Sequence, residues 1–150
     1  MMNKDILLCG VGGQGIVLVS KLLAASAMAS GEQVHSAETI GMAQRGGSVT
    51  SHVRIGESFS PLIPKGSADL LIAFEPAEAV RNLPYLKKGG TVIVSSFAVM
   101  PVTASLTGGK YEAAPMLRYL EEKAGRLITA DPDVLCAPLH SVKFFNVVML

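Results

Sequence analysis

A glycine-rich turn between a short apolar run and a longer helical pattern leaves this chain few folds to adopt. The apolar run is Asp5–Cys9, the turn is Gly10–Gly15, and apolar residues then recur at helical spacing across Gln14–Ser30. The turn matches G-x-G-x-x-G, in which glycines permit a tight reversal and let a helix pack closely on its strand. A strand, a glycine turn and a helix in this order predict the first unit of a Rossmann-like α/β fold.

The rest of the chain continues this alternation of strands and helices. Further strands are predicted at Gln33–Ala37, Ser48–Ile55, Asp69–Phe74, Thr91–Ser96 and Arg126–Ala130, and further helices at Ala77–Leu83 and Ala114–Ala124. This order predicts a single three-layer α/β domain over 1–150, with a mainly parallel sheet. We also predict a loop over Glu38–Gly47, an antiparallel hairpin extension in which Phe59–Ile63 returns along Ser48–Ile55, a turn at Lys87–Gly90, an irregular or hairpin segment at Pro101–Tyr111 and a weakly patterned tail.

Composition excludes several classes of function. Thirteen basic residues against twelve acidic ones give a net charge of +1, which offers no electrostatic footprint for nucleic acid and no polybasic face for a membrane. The most lipid-like window, Ile16–Ala29, is shorter than the roughly 20 residues of a membrane helix. We therefore expect a soluble, cytoplasmic protein. Only 17% of residues are charged and 49% are apolar, so much apolar surface needs to be covered.

The glycine turn has two interpretations. A phosphate group can approach the glycine backbone and the free N–H groups at the start of the helix, which makes Gly10, Gly12, Gly13, Gln14 and Gly15 candidate ligand-binding residues. The alternative is a turn that only packs the helix on its strand. A conventional NAD or FAD site would also need an acid at the end of the second strand, and Glu38 is the candidate for that role.

A second polar loop, Gly41–Gly47, leaves the second predicted strand. In an open α/β sheet this loop and the glycine turn share the rim where ligands bind. The Arg45 guanidinium, next to Gln44 and followed by Gly46 and Gly47, could bind a carboxylate or phosphate in bidentate fashion. Equally, it could be a structural arginine that bonds backbone carbonyls of its own loop.

Seven motifs occur in an order that resembles a known family. They are Gly10–Ile16, Glu38–Val49, Ser51–Gly56, Ser60–Ile63, Ala68–Leu71, Glu75–Pro76 and Asn146–Leu150. Together they resemble the gamma-type subunit of 2-oxoacid:ferredoxin oxidoreductases, and within that family the indolepyruvate type. The resemblance covers nearly the whole chain, more loosely over 97–145. It implies oxidative decarboxylation of a 2-oxoacid with coenzyme A as co-substrate and ferredoxin as electron acceptor.

The resemblance also implies thiamine diphosphate, magnesium and iron–sulfur clusters, and the residues of this chain place those groups elsewhere. Cys9 and Cys136 are its two cysteines, whereas a cluster takes four, and the sequence contains no Gly-Asp-Gly of a thiamine diphosphate motif. Cys9 is predicted to be a small buried hydrophobe. We expect a large partner subunit to carry the cofactors, with no catalytic or metal-binding residue here. The Gly10–Gly15 turn and Arg45 would help form or cover the coenzyme A and substrate crevice. The full set of candidate cofactor-binding residues is Gly10, Gly12, Gly13, Gln14, Gly15, Glu38, Gln44, Arg45, Gly46 and Gly47. The alternative function is a free-standing NAD- or FAD-binding module.

Three further expectations concern exposed surface. The apolar segment Phe144–Leu150 needs cover, so either it is shortened relative to the family or a partner packs on it. Purified alone, the chain should self-associate through a surface meant for another subunit. His52 alternates with Thr50 and Arg54 on one strand face and is predicted to be solvated or at an interface.

Overall fold

The computed structural model describes residues 3–41, 46–101, 106, 108 and 110–150, and its helices lie on both faces of a six-stranded sheet. The strands are β1 (Lys4–Val11), β2 (Val34–Ile40), β3 (Ser48–Ile55), β4 (Ala68–Ala73), β5 (Leu86–Ser95) and β6 (Arg126–Ala130). The helices are α1 (Ile16–Ala29), α2 (Pro76–Asn82), α3 (Ala113–Lys123), α4 (Pro132–Cys136) and α5 (Phe145–Val148). Short 3-10 turns occupy Leu83–Tyr85, Ala137–Leu139 and Val142–Phe144.

The sheet is mainly parallel and contains one antiparallel insertion. Its strand order is β2-β3-β1-β4-β5-β6. Strand β3 pairs antiparallel with both β1 and β2, whereas β1, β4, β5 and β6 pair in parallel. The predicted Rossmann-like α/β class, with a mainly parallel sheet and an antiparallel extension, is confirmed.

Strand β1 supplies core residues to both faces of the sheet, because successive side chains of a strand point in opposite directions. Ile6 and Leu8 pack with α1 on one face, and Leu7 and Cys9 pack with α2 and α3 on the other. Other core residues on the first face are Val19, Val53, Phe74 and Met149. Those on the second face are Ile63, Leu71, Val92 and Leu120. Leu7, Leu8 and Cys9 are completely buried. Each buried leucine contributes about 1.5–3 kcal/mol relative to an exposed one.

Local sequence explains where the helices after β4 and β6 begin. The Glu75 carboxylate accepts the N–H of Glu78, and Pro76 follows as the first helical residue, where a missing N–H costs nothing. Asp131 caps α4 in the same way by accepting the N–H groups of Asp133 and Val134. Both caps stand directly beyond a strand, so they fix the carboxyl-terminal rim of the sheet.

The predicted partner of strand 48–55 is wrong. Residues 59–63 form no strand; β3 pairs instead with β1 on one side and β2 on the other, which leaves no free edge. Pro61 and Pro64 also interrupt the segment, and proline cannot donate to a ladder. The predicted loop begins too early as well, because Glu38–Ile40 continue β2 opposite Val49–Ser51.

Three smaller expectations are also corrected. The predicted turn at Lys87–Gly90 belongs to β5, with a register shift against β4 and a positive φ of 77° at Gly89. The tail contains the short helices α4 and α5. His52 is 4% exposed rather than solvated; its Nδ1 accepts the N–H of Ile63, and its ring packs edge-on against Tyr85. Within the described residues, the longest helices are too short or too polar to cross a membrane.

Candidate functional site

The candidate site lies at the carboxyl ends of the parallel strands. It sits at the point in the sheet where the connections lead away in opposite directions. Strand β1 leads through α1 toward β2, whereas β4 leads through α2 toward β5, so the switch point falls between β1 and β4. A cavity of about 460 Å³ opens there. It is lined by the glycine turn, by strand ends and by the C-terminal segment; the lining includes Gly13, Gln14, Gly15, Phe74, Ser95, Phe97, Val99, Asp133, Val142, Lys143, Phe145 and Asn146.

The Gln14 side chain holds the glycine turn against the sheet. Its Oε1 accepts the N–H of Val11 at 2.8 Å, and its Nε2 donates to the carbonyl oxygen of Phe74 at 2.9 Å. A Cβ on Gly10 would lie 2.6 Å from that Oε1 and 3.1 Å from the Phe74 Cβ. Gly10 and Gln14 therefore shape the turn. The Gln14 side-chain amide is used in hydrogen bonds within the protein, and Gly10 leaves the room that this amide occupies.

Gly13 and Gly15 face the cavity and require glycine for conformational reasons. Both adopt positive φ, 101° and 79°. Gly15 is the N-cap of α1, and no side chain in the described part of the molecule caps that helix. A Cβ on Gly13 would meet open space, while one on Gly15 would lie 2.4 Å from the Asn146 amide nitrogen. The C-terminal segment thus packs over the start of α1.

The second predicted loop is joined to the first through its glycines. The N–H of Gly12 donates to the carbonyl oxygen of Gly47 at 2.8 Å, and the N–H of Gly46 donates to that of Gly12 at 3.3 Å. The structure therefore brings Gly12, Gly46 and Gly47 together at one rim. Gln44 and Arg45 lie outside the described residues.

Glu38 is not brought to the glycine turn in the way a dinucleotide site would need. Because β3 separates β2 from β1, Glu38 lies two strand spacings, about 10 Å, from the strand that carries the turn. Its carboxylate is exposed and accepts a hydrogen bond of 3.3 Å from Ser20 in the second turn of α1. In the dinucleotide fold the acid ends the strand that pairs directly with the first one.

Two buried carboxylates beside this rim escaped the sequence analysis. Glu75 is 1% exposed and Glu78 is 4% exposed, and both line a second cavity of about 390 Å³ next to Gly46 and Ser48. Ser48 Oγ donates to Glu78 at 2.6 Å. The signal was available, since Glu75 directly follows a fully apolar strand at the edge where ligands bind.

Tyr111 completes the hydrogen bonding of Glu75. Its hydroxyl donates to Glu75 Oε1 at 2.7 Å, and the N–H of Val99 donates to the same oxygen at 3.4 Å. Burial raises the pKa of Tyr111, and the hydrogen bond and negative charge of Glu75 raise it further. Tyr111 therefore stays a hydrogen-bond donor throughout the neutral pH range. No local pattern predicts this contact, which spans 36 positions of sequence.

Cysteine chemistry is suppressed at this site. Burial raises the pKa of the Cys9 thiol well above its usual value, and the carboxylates of Glu78 and Glu75 raise it further. Cys9 is thus a neutral core residue, as predicted. Within the described residues, His, Cys, Asp and Glu form no group of three or more that could hold a metal ion.

The sequence matches a known protein family. The model of the pyruvate ferredoxin/flavodoxin oxidoreductase family matches residues 5–150. The chain belongs to this family. It is 41% identical over 150 residues to the indolepyruvate oxidoreductase subunit IorB of Archaeoglobus fulgidus, covering 99% of this chain and 75% of that protein. It is 30% identical to the 2-oxoglutarate synthase subunit KorC of Methanothermobacter marburgensis, covering 87% and 73% of the two chains.

Solved structures agree on the fold of this oxidoreductase subunit. A 2-oxoglutarate:ferredoxin oxidoreductase from Magnetococcus marinus aligns with a TM-score of 0.67 at 18% identity, over 97% of this chain and 23% of that chain. Together with the relatives, the family match identifies the chain as a small subunit of a 2-oxoacid:ferredoxin oxidoreductase. Nothing in these comparisons supports a free-standing NAD or FAD module.

Proposed function

We propose that this subunit docks on a larger, cofactor-bearing subunit and that its switch-point cavity forms or covers the entrance for coenzyme A and a 2-oxoacid of the indolepyruvate type. The complex would decarboxylate the 2-oxoacid oxidatively to an acyl-coenzyme A and pass the electrons to ferredoxin. The observation that carries the proposal is the cavity itself, where the start of α1 and Lys143 border apolar walls.

The chemistry of the cavity suits a ligand that is anionic at one end and apolar along its length. The N-terminus of α1 carries partial positive charge, and the exposed Lys143 adds a full one, whereas Asp133, also in the lining, contributes a negative charge. Phe97, Val99 and Val142 provide apolar contact area. Indolepyruvate joins a carboxylate to an apolar aromatic ring and fits this pattern; coenzyme A supplies phosphates for the helix N-terminus, and its long arm carries amides as well as methylene groups. The rim residues Gly12, Gly13, Gly15, Gly46 and Gly47 would line or close the entrance, and we propose the same role for Gln44 and Arg45, which lie outside the described residues.

The residues of the chain do not fit the redox and thiamine cofactors. Cys9 lies in β1 and Cys136 in α4, both buried, and two thiolates cannot replace the four that a cluster requires. We therefore assign thiamine diphosphate, magnesium and the iron–sulfur clusters to the larger subunit. The role of this chain is to position and enclose the co-substrate.

A charge substitution in the cavity tests the assignment. In the complex co-expressed with the larger subunit, Lys143→Ala should raise the KM for coenzyme A by about 5- to 10-fold, corresponding to about 1–1.4 kcal/mol. The KM for the 2-oxoacid should change less. Lys123→Ala, at an exposed lysine in the last turn of α3, is the matched control and should leave both constants unchanged. An unchanged KM for coenzyme A in Lys143→Ala would contradict the proposal.

A further inference from the structure

A loop at the amino-terminal ends of the parallel strands, opposite the cavity, carries an exposed aromatic side chain. This side chain does not line the cavity. Residues 56–63, which we name the Phe59 loop, follow β3 and lie near the amino-terminal ends of β1 and β4. The Phe59 ring is fully exposed and Leu62 is 52% exposed, whereas Ile63 is buried in the core. The loop thus anchors itself with one apolar residue and presents two others to solvent.

Hydrogen bonds fix the conformation of this loop. Arg54, which forms a two-bond ion pair with Asp5, also donates to the carbonyl oxygens of Ser60 and Leu62 at 3.1 and 3.3 Å. His52 Nδ1 accepts the N–H of Ile63 at 3.1 Å. Ser58 Oγ donates to the carbonyl oxygen of Ser60 at 2.6 Å. A flexible loop could fold its phenylalanine onto the protein, but this one holds it outward.

A preorganised, exposed aromatic side chain is the usual form of an interface anchor. Such residues contribute most of the binding free energy when they enter a dry pocket of a partner. Holding the loop in its bound conformation lowers the entropy lost on association. Pro61, between the two exposed apolar residues, limits the conformations of the free loop further.

The charges around the loop argue against a second copy of this chain as the partner. Five basic side chains against four acidic ones lie in the described segments 4–5, 32–33, 54–69 and 86–88; they are Lys4, Arg54, Lys65, Lys87 and Lys88, and Asp5, Glu32, Glu57 and Asp69. A two-fold contact between copies would bring the same excess of positive charge together. Family membership instead implies larger partner subunits, which are free to carry complementary acidic groups.

We propose that Phe59 and Leu62 dock into an apolar cleft, bordered by acidic side chains, on the larger subunit of the same oxidoreductase. The inference rests on the proposed function in one respect, namely that the partner is the larger, cofactor-bearing subunit. It adds a second contact surface, at the amino-terminal ends of the parallel strands, opposite the cavity. Arg54 is a positioning residue for this surface. It fixes the loop by hydrogen bonds, whereas Phe59 and Leu62 make the contact with the partner.

The test is the dissociation constant between this chain and the purified larger subunit, measured by interferometry for a set of variants. Phe59→Ser should weaken binding at least 10-fold, whereas Phe59→Leu, which keeps an apolar anchor, should weaken it less than 3-fold. Arg54→Lys keeps the charge beside Asp5 but loses the fork to the loop carbonyls, and should weaken binding about 3- to 10-fold. Tyr119→Ser, at a half-exposed aromatic residue of α3, is the control and should bind like the wild type.

Several results would overturn the inference. One is wild-type affinity in Phe59→Ser with an unchanged melting temperature. Another is a Phe59→Ser chain that no longer self-associates but still binds the larger subunit, since the anchor would then serve a second copy. Assays of the same complexes separate this inference from the proposed function. A complex that depends on Phe59 but turns over no 2-oxoacid would contradict only the function, and an active complex indifferent to Phe59 would contradict only the docking surface.

Discussion

The side-chain amide of Gln14 donates to the carbonyl oxygen of Phe74 and thereby ties the glycine turn after β1 to the end of β4. These two strands flank the switch point, and both Gln14 and Phe74 line the candidate cavity. The G-x-G-x-x-G pattern suggests that any residue can stand between its glycines. In this chain Gln14, at the fifth position, is needed for the shape of the turn just as the glycines are.

Removing this amide should destabilise the fold. Gln14→Ala leaves the N–H of Val11 without its acceptor and the carbonyl oxygen of Phe74 without its donor, which should cost about 1–3 kcal/mol in the free energy of unfolding. Urea denaturation measures this loss. Gln33→Ala, at an exposed glutamine before β2, should stay within about 0.5 kcal/mol of the wild type. Equal effects of the two substitutions would contradict the structural role.

Two glycines with nearly the same φ allow the contact with Asn146 to be isolated. Gly15 has a φ of 79° and Gly31 a φ of 83°, but only a Cβ on Gly15 would meet the Asn146 amide. Alanine should cost about 1–2 kcal/mol at either position because of the left-handed backbone. The two losses should agree closely, since Asn146 can rotate away. Only Gly15→Ala should then shift the Asn146 side-chain amide resonances in NMR spectra; identical spectra at Asn146 would disprove the contact.

Acid should weaken the fold through His52. Burial lowers the pKa of His52 below its usual 6.5, and the positive charge of Arg54 lowers it further. The unfolded chain therefore binds a proton at higher pH than the folded one, so the stability that is complete above about pH 7 falls as pH decreases toward the folded-state pKa. His52→Asn keeps an acceptor for Ile63 without titrating. Unfolding free energies measured from pH 8 to 5 should fall less steeply in this variant, and equal slopes would refute the assignment.

The hydroxyl of Tyr111 should stabilise the segment before α3. Its hydrogen bond to the buried Glu75 carboxylate involves a charged acceptor, so Tyr111→Phe should lower the free energy of unfolding by about 1–2 kcal/mol. Tyr119→Phe removes a hydroxyl from a half-exposed tyrosine and should change it by less than about 0.5 kcal/mol. Thermal unfolding of the two variants side by side makes the comparison. A Tyr111→Phe protein as stable as Tyr119→Phe would contradict the geometry.

Features that depend on local chemistry were predictable from the sequence. The strand, glycine turn and helix at 5–30 follow from period and turn residues alone, and Arg126–Ala130 was predicted with its observed bounds. The helix after β4 was also predicted, at Ala77–Leu83, one residue later at each end than the observed α2. In each case the signal lies within a few neighbouring residues.

Features that depend on which strands are neighbours were not predictable in this way. The pattern of 48–55 predicted a strand but not its insertion between β1 and β2, which moves Glu38 away from the glycine turn. His52 was predicted to be exposed because its contacts, with Ile63 and Tyr85, come from residues outside its own strand. The contacts of Asn146 with Gly15 and of Tyr111 with Glu75 join distant segments, and no local periodicity encodes them.

The most direct test of the account is the reduction of an electron acceptor, driven by indolepyruvate and coenzyme A, by this chain alone, by the larger subunit alone and by the reconstituted complex. We predict turnover only in the complex, abolished when coenzyme A is omitted. Full activity of the larger subunit alone, or reduction of NAD by this chain alone, would contradict the account.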